Sequence, residues 1–299
     1  MVKTACAECG FYVIPTDELD ESARADHDPE IVENTLAGIE REVDPLIAAL
    51  VDGHFPLSDE ERVKISVFTA LQITRGWRFR EDMNELGNIL MREQLPMIPP
   101  ATIRDWLRDH GEPHNGKAVR AFRERMLNED TGLRITATQS HAVQQALRSA
   151  IEDFGPRLVA RPLRLLKFPD NLLLTSDNPV GIWSPAPSGI APTIGRGTAP
   201  MIFLPLDRRT ALAFATTGRD KVSNSGPTRA RQINQSVIED ARRWIFHHPD
   251  DQPLKDIDIP PPMEFAHDIV ETWQDDAGMT HELHRVARCA GSWAAATTD

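Results

Sequence analysis

Leu172-Leu173-Leu174-Thr175-Ser176-Asp177-Asn178-Pro179-Val180 is an apolar run that stops at a polar quartet. A short apolar run bounded by turn formers is the pattern of a strand buried on both faces. It predicts a strand over Leu172–Ser176 that delivers Ser176, Asp177 and Asn178 to its end, where rigid scaffolds present functional side chains. Downstream, Phe203-Leu204-Pro205-Leu206-Asp207 repeats the pattern. Met201–Leu204 and Thr210–Ala215 read as a hairpin turning through residues 205–209. Leu158–Phe168 reads as a strand interrupted at Pro162. Ser184–Pro200, rich in Pro and Gly, reads as a loop or lid. Arg229–Arg243 reads as a helix leading into a short strand at Trp244–His247, and Asp250–Pro262 as a connector.

The pattern upstream of Gly155-Pro156 is helical. Asp28-Pro29 predicts a helix start, with Asp28 as cap and Pro29 at the first position. Val32, Leu36, Ile39, Val43, Leu46, Ile47 and Leu50 form one stripe at helical spacing. Pro45 predicts either a kink or a second helix capped by Asp44. Ser58 with Glu61 is a capping box, followed by a stripe of Ile65, Phe68, Leu71, Arg75 and Phe79. Shorter helices are predicted over Ile103–Asp109, Ala118–Leu127 and Gln139–Phe154. The last is expected to start with a Thr136/Gln139 box and stop at Gly155-Pro156. The expected fold is α+β: a helical N-terminal half, residues 1–155, packed on a mixed, mainly antiparallel sheet with a late helix, residues 156–299. The two halves form either separate units or one integrated domain.

The net charge is −12, from 33 basic and 45 acidic residues among 299, which disfavours nucleic-acid binding by bulk charge. No segment resembles a signal peptide or membrane span, so the expected location is cytoplasmic. Three cysteines do not make a disulfide framework. Walker, dinucleotide-binding, kinase, paired-His metalloprotease and EF-hand patterns are missing from the sequence.

Four constellations carry chemistry. Glu33 and Glu40, seven residues apart, share a helix face beside the Leu36/Ile39 stripe. Arg75 stands within an apolar stripe and needs a partner, because unpaired burial of a charge is costly. One of those glutamates is the simplest partner. The bland reading is an ion pair joining two helices. The functional one is a carboxylate pair tuned by an arginine, able to hold Mg²⁺ or Mn²⁺ or to divide acid and base roles. Ser176, Asp177 and Asn178 are ordinary turn formers before a proline. Their functional reading makes Asp177 a metal ligand or base and Ser176 and Asn178 substrate contacts. No nucleophile elbow surrounds Ser176. Cys6-x-x-Cys9 resembles half of a zinc knuckle, which His281, His284 and Cys289 could complete if the termini meet, but one half-motif does not make a zinc signature, so structural zinc is disfavoured. Basic clusters at Lys117, Arg120, Arg123 and Arg125, and at Arg157, Arg161, Arg164 and Lys167, read as solvated faces or a local phosphate-attracting surface, with Arg157 and Arg161 on one strand face.

In order, Gly10-Phe11-Tyr12-Val13, Val32-Glu33-Asn34-Thr35-Leu36-Ala37-Gly38-Ile39-Glu40, Phe68–Arg75, Leu174–Val180, Phe203–Leu206 and the segment from Asn234 to Phe246 resemble the DUF4238 family, bacterial proteins of unknown function. The resemblance implies an α+β protein in which Glu33, Glu40, Arg75, Ser176, Asp177 and Asn234 occupy signature positions. It implies no reaction. Family members usually begin with a His-x-x-Pro-x-x-Tyr-Leu segment that this chain lacks, so some of a family site is expected to be missing or to lie upstream.

Two kinds of function follow as expectations. The first is a metal-assisted hydrolase of a phosphoester or nucleotide-like small anion. Glu33, Glu40, Arg75 and Asp177 would be catalytic, and Ser176, Asn178 and Asn234 would bind substrate. The second is a non-enzymatic binding or regulatory module, for stress or phage defence, or an inactive paralogue of an enzyme.

Overall fold

The computed structural model describes residues 31–127, 137–170, 172–183, 199–242, 244–254, 257, 259, 263–274 and 280–290. Its helices are α1 (Ile31–Val51), α2 (Asp59–Thr74), α3 (Trp77–Gln94), α4 (Pro100–Asp109), α5 (Gly116–Leu127), α6 (Gln139–Arg148) and α7 (Gly155–Val159). Strands β1 (Leu163–Lys167), β2 (Thr175–Ser176), β3 (Gly181–Trp183), β4 (Met201–Pro205), β5 (Thr210–Ala215) and β6 (Lys221–Asn224) follow. Next come α8 (Pro227–Asp240), β7 (Ile245–Phe246) and a terminal hairpin of β8 (Met263–Gln274) and β9 (Thr280–Ala290). The architecture is α+β.

α1 runs unbroken through Pro45, with Val32, Leu36, Val43, Leu46 and Leu50 buried. The apolar stripe continues on both sides of the proline, and packing of that face outweighs one missing backbone hydrogen bond. The alternative start at Asp44 is not used, and Asp28-Pro29 lies outside the described residues. Lys167 of β1 reaches the end of α1, where its ammonium donates to the Leu50 carbonyl at 3.2 Å and the Val51 carbonyl at 2.5 Å. A cation on the last carbonyls satisfies free acceptors and the helix dipole together. The Ser58/Glu61 box at the start of α2 is fully formed. The Ser58 backbone N–H and hydroxyl, followed by His54, hold the Glu61 carboxyl below its usual range.

The stripe predicted as one helix through Phe79 is broken. Arg75 caps α2, Gly76 follows, and α3 starts afresh at Trp77. Gly76 faces Asn178 so closely that a Cβ there would sit 3.0 Å from the Asn178 Oδ1. α6 is capped by Thr138, whose hydroxyl accepts from the His141 N–H at 3.3 Å, and not by a Thr136/Gln139 box. Gln139 is the first residue of that helix, and Thr136 lies outside the described residues. Nor does Gly155-Pro156 stop the helix. A π turn over Ser149–Phe154 leads into α7. The wide turn precedes Pro156, where a regular α turn would press the ring on the carbonyl four residues back. A side chain at 155 would meet the Ala150 carbonyl oxygen at 2.7 Å, so the turn requires glycine.

The main sheet has the order β3-β4-β5-β1-β6. β1 pairs antiparallel with β5, Leu165 opposite Leu212, and parallel with β6, Leu165 opposite Val222. β5 is buried along its whole length. The β4–β5 hairpin turns where Leu206 N–H donates to the Thr210 carbonyl at 2.9 Å. The strand predicted over Leu158–Phe168 shrinks to β1, because residues 155–159 are helical. The one predicted over Leu172–Ser176 shrinks to β2, paired with β7. One core cluster joins Leu36, Leu50, Ile65 and Ile73 of the helices to Leu163, Leu165, Ile202 and Phe214 of the sheet. A second lies between the other sheet face and α8, around Phe203, Ala213, Ile233 and Val237. Among the described residues, no helix is long and apolar enough to cross a membrane.

Candidate functional site

Ser176, Asp177 and Asn178 form the seat for the end of α8. The Ser176 hydroxyl donates to the Asn178 carbonyl at 2.8 Å and accepts from the Asn178 N–H at 3.1 Å. The Asn178 amide donates to the Asp240 carbonyl at 3.2 Å, and one Asp177 carboxylate oxygen accepts from the Arg242 N–H at 2.9 Å. The Asp177 N–H donates to the Trp244 carbonyl at 3.1 Å. A helix end buried against a loop needs partners for its last carbonyls, and this turn provides one of them. Asn234, in the middle of α8 and 2% exposed, binds the segment that leads into the same turn. Its amide accepts from the Leu174 N–H at 3.2 Å and donates to the carbonyls of Leu172 at 2.7 Å and Pro253 at 3.4 Å. The apolar segment before β2 is therefore held by a side-chain amide where a continuing strand would supply backbone.

The same seat contains an ion pair that the sequence patterns did not reveal. Arg78, in the first turn of α3, pairs with Asp240 at the end of α8, and both side chains are largely buried. Arg78 also donates to the Glu239 carbonyl at 3.0 Å. Arg242 lies over the Trp77 ring at 5.5 Å. Burial pushes the Glu239 and Glu81 carboxyls up, the latter opposed by Arg242. For Glu239 the sign is clear. A native value above the unfolded one means stability falls as pH rises from the ordinary value of 4.5 through the raised native value. Glu239→Gln is expected to flatten that region of the stability profile and to leave the protein more stable than wild type at neutral pH. Chemical denaturation at several pH values reads this, and an unchanged slope contradicts it.

Glu33 and Glu40 belong to α1, and Arg75 caps α2. Glu33 is exposed on α1. Arg75 donates to Glu40 at 2.6 Å, and to the Gln72 carbonyl oxygen through Nε at 3.1 Å and Nη2 at 2.7 Å. The Glu40 side chain is 44% exposed and that of Arg75 27%, so the pair belongs with partly solvated bridges contributing about 0–1 kcal/mol.

Arg75 also borders a cavity of about 220 Å³ between α1, α2, α3 and α6. Val32, Leu36, Leu71, Phe79, Met83, Val143 and Leu147 make its apolar surface, and Arg75, Arg80, Asn84, His141 and Gln145 supply the polar groups. Among the described residues the wall contains no Asp or Glu, although the chain carries 45 of them. Thr74, in the same wall and 2% exposed, has a hydroxyl without a hydrogen-bond partner among the described residues. Phe79 is fixed from behind by an edge-on contact with Phe154, ring centroids 6.1 Å apart. The Asn84 amide oxygen accepts from the Ala137 N–H at 2.9 Å and ties the approach to α6 onto α3.

A family model described as "Protein of unknown function (DUF4238)" matches residues 1–251. The chain belongs to the DUF4238 family. No curated protein and no solved structure matches it. Within this DUF4238 fold, the positions singled out from the sequence separate into two groups. Ser176, Asp177, Asn178 and Asn234 hold the end of α8 and the lead into β2, and Arg75, paired with Glu40, borders the cavity. Gly76 lies between the two groups, next to Arg75 in the chain and pressed on Asn178.

The two basic clusters resolve differently. Arg157 lies on α7 and not on a strand, so it shares no strand face with Arg161. Arg161 is 7% exposed and donates to the carbonyls of Ala199 at 2.8 Å and Phe214 at 3.4 Å. Burial lowers its pKa. Arg164 donates to the Thr217 carbonyl at 3.0 Å. With Lys167 bonded to the end of α1, Arg161 and Arg164 serve the fold rather than one phosphate-attracting surface. In the other cluster Arg123 donates to the Ile98 carbonyl, while Lys117 and Arg120 are exposed. Cys6 and Cys9 lie outside the described residues. His281 and Cys289 pair in register with Trp273 and Glu264 of the terminal hairpin. Among the described residues, no three His, Cys, Asp or Glu are grouped to share a metal ion.

Proposed function

We propose that this DUF4238 chain is a small-molecule binding module whose ligand occupies the cavity between α1, α2, α3 and α6. The observation that carries this reading is the cavity itself. Its wall is mostly apolar, backed by the Phe79 ring and with a few polar side chains in the lining, the usual make-up of a ligand pocket. Its volume of about 220 Å³ exceeds that of a cavity of about 150 Å³ known to admit benzene. A ring with a short substituent therefore fits. The metal-assisted hydrolase reading draws less support. It needs Glu33, Glu40 and Asp177 to converge, whereas Glu33 is exposed, Glu40 is paired with Arg75, and Asp177 holds the Arg242 N–H.

Titration of the chain with 3-phenylpropan-1-ol, a neutral probe, tests the reading. Saturable calorimetric binding and a raised melting temperature are expected. Ala146→Phe, which fills the space from the α6 wall, is expected to abolish both while leaving the circular dichroism spectrum unchanged. Binding that survives Ala146→Phe would place the ligand elsewhere and overturn the assignment.

A further inference from the structure

The geometry points to a single-ring aryl carboxylate as the ligand class, its carboxylate taking Arg75 from Glu40; this rests on the cavity reading above. Three observations converge. First, the wall contains Arg75, Arg80 and His141 and, among the described residues, no acidic side chain, within a chain of net charge −12. Two guanidinium groups in a wall without carboxylates favour an anion over a cation there, in a chain whose net charge otherwise repels anions. Second, the Arg75 guanidinium is already fitted to a carboxylate. Glu40 accepts from its Nη1 at 2.6 Å, while Gln72 holds Nε and Nη2 from the other side. The anchored guanidinium is thereby preorganised, and exchanging one monoanion for another leaves the local charge unchanged.

Third, the two partners of the bridge differ in where they sit. Arg75 belongs to the cavity wall, whereas Glu40 does not and is 44% exposed. Glu40 can therefore turn into water at little desolvation cost when a ligand carboxylate arrives from inside. Phe79, pinned by Phe154, and Met83 provide a flat wall and a polarisable thioether suited to an aromatic ring. The bridge then acts as an internal competitor: Glu40 sets how readily Arg75 accepts an anion.

Calorimetric titration of the full chain with 3-phenylpropionate, 3-phenylpropan-1-ol, 3-phenylpropylammonium and phenethyl phosphate tests the inference. The acid is expected to bind at least about tenfold more tightly than the alcohol, as one desolvated charge-assisted bond allows. The ammonium is expected not to bind. Glu40→Gln should tighten the acid several-fold and leave the alcohol unchanged. Arg75→Gln should reduce the acid to the affinity of the alcohol, with Arg75→Lys intermediate, and melting curves of each variant check that it is folded. Equal binding of acid and alcohol, or a Glu40→Gln variant indifferent to the acid, overturns the inference while the cavity reading stands. A phosphate monoester that outbinds the acid overturns the carboxylate assignment. Failure of the alcohol and the acid alike removes the cavity reading, and this inference with it.

Discussion

Asp240→Ala is expected to destabilise the protein by about 3–5 kcal/mol, read as a lowered urea midpoint with unchanged m-value. Side-chain exposure of the Arg78–Asp240 pair is only 13% and 8%. Removing the carboxylate leaves a guanidinium buried between the start of α3 and the end of α8, with the Glu239 carbonyl as a neutral acceptor. An uncompensated buried charge costs far more than the intact pair contributes, so the double variant Arg78→Met/Asp240→Leu is expected to recover most of the loss. The Asn178 amide is bonded to the backbone carbonyl of Asp240 and keeps that contact in both variants. A single-variant loss below about 1 kcal/mol would mean that water reaches the pair and that it behaves like an exposed bridge.

Gly181→Ala is expected to cost about 1–3 kcal/mol through overpacking. Gly181 opens β3 and lies against α8, where a Cβ would fall 2.1 Å from the Ser236 hydroxyl oxygen, 3.1 Å from its Cβ and 3.2 Å from a Val237 methyl. The hydroxyl cannot simply swing aside, because it is buried and donates to the Ile233 carbonyl at 2.8 Å. Either that bond breaks or α8 moves away from the sheet. Combining Gly181→Ala with Ser236→Gly is expected to be less damaging than the sum of the single variants, since the clash is shared. Strict additivity would show that β3 and α8 have room to separate. Thermal melts of the four proteins decide between these outcomes.

Neither the Arg78–Asp240 pair nor the contact of Gly181 with Ser236 carries a sequence signal. Arg78 follows a glycine and a tryptophan in a stretch whose apolar spacing reads as the tail of α2. Only the break at Gly76, pressed on Asn178, starts the new helix that gives Arg78 its place. Asp240 looks like any acidic residue near a helix end. The cavity is equally hidden. Its wall draws on the consecutive helices α1, α2 and α3 and on the more distant α6, and the apolar spacing does not mark α3 as a separate element. Glu40 and Arg75 are legible as a pair because a charge on an apolar stripe requires a partner. Their position at the edge of a pocket is not.

The elements whose causes are local can be read from the chain alone. The Ser58/Glu61 box, the long stripe of α1, the β4–β5 hairpin and the α+β order all follow from spacing, capping and turn chemistry within a few residues. Features that depend on distant partners emerge in the folded chain. Leu172–Leu174 looks like a strand, but its groups bond to Arg208 and Asn234, leaving two residues of β2 to pair with β7. Gly155-Pro156 looks like a stop, but a π turn carries the chain onward. Ser176, Asp177 and Asn178 read as turn formers or as a functional strand end, and spacing alone gives no sign that the turn receives the end of α8. Local propensities are small and summed over a segment, whereas one buried helix end or one unpaired charge weighs as much as several of them together.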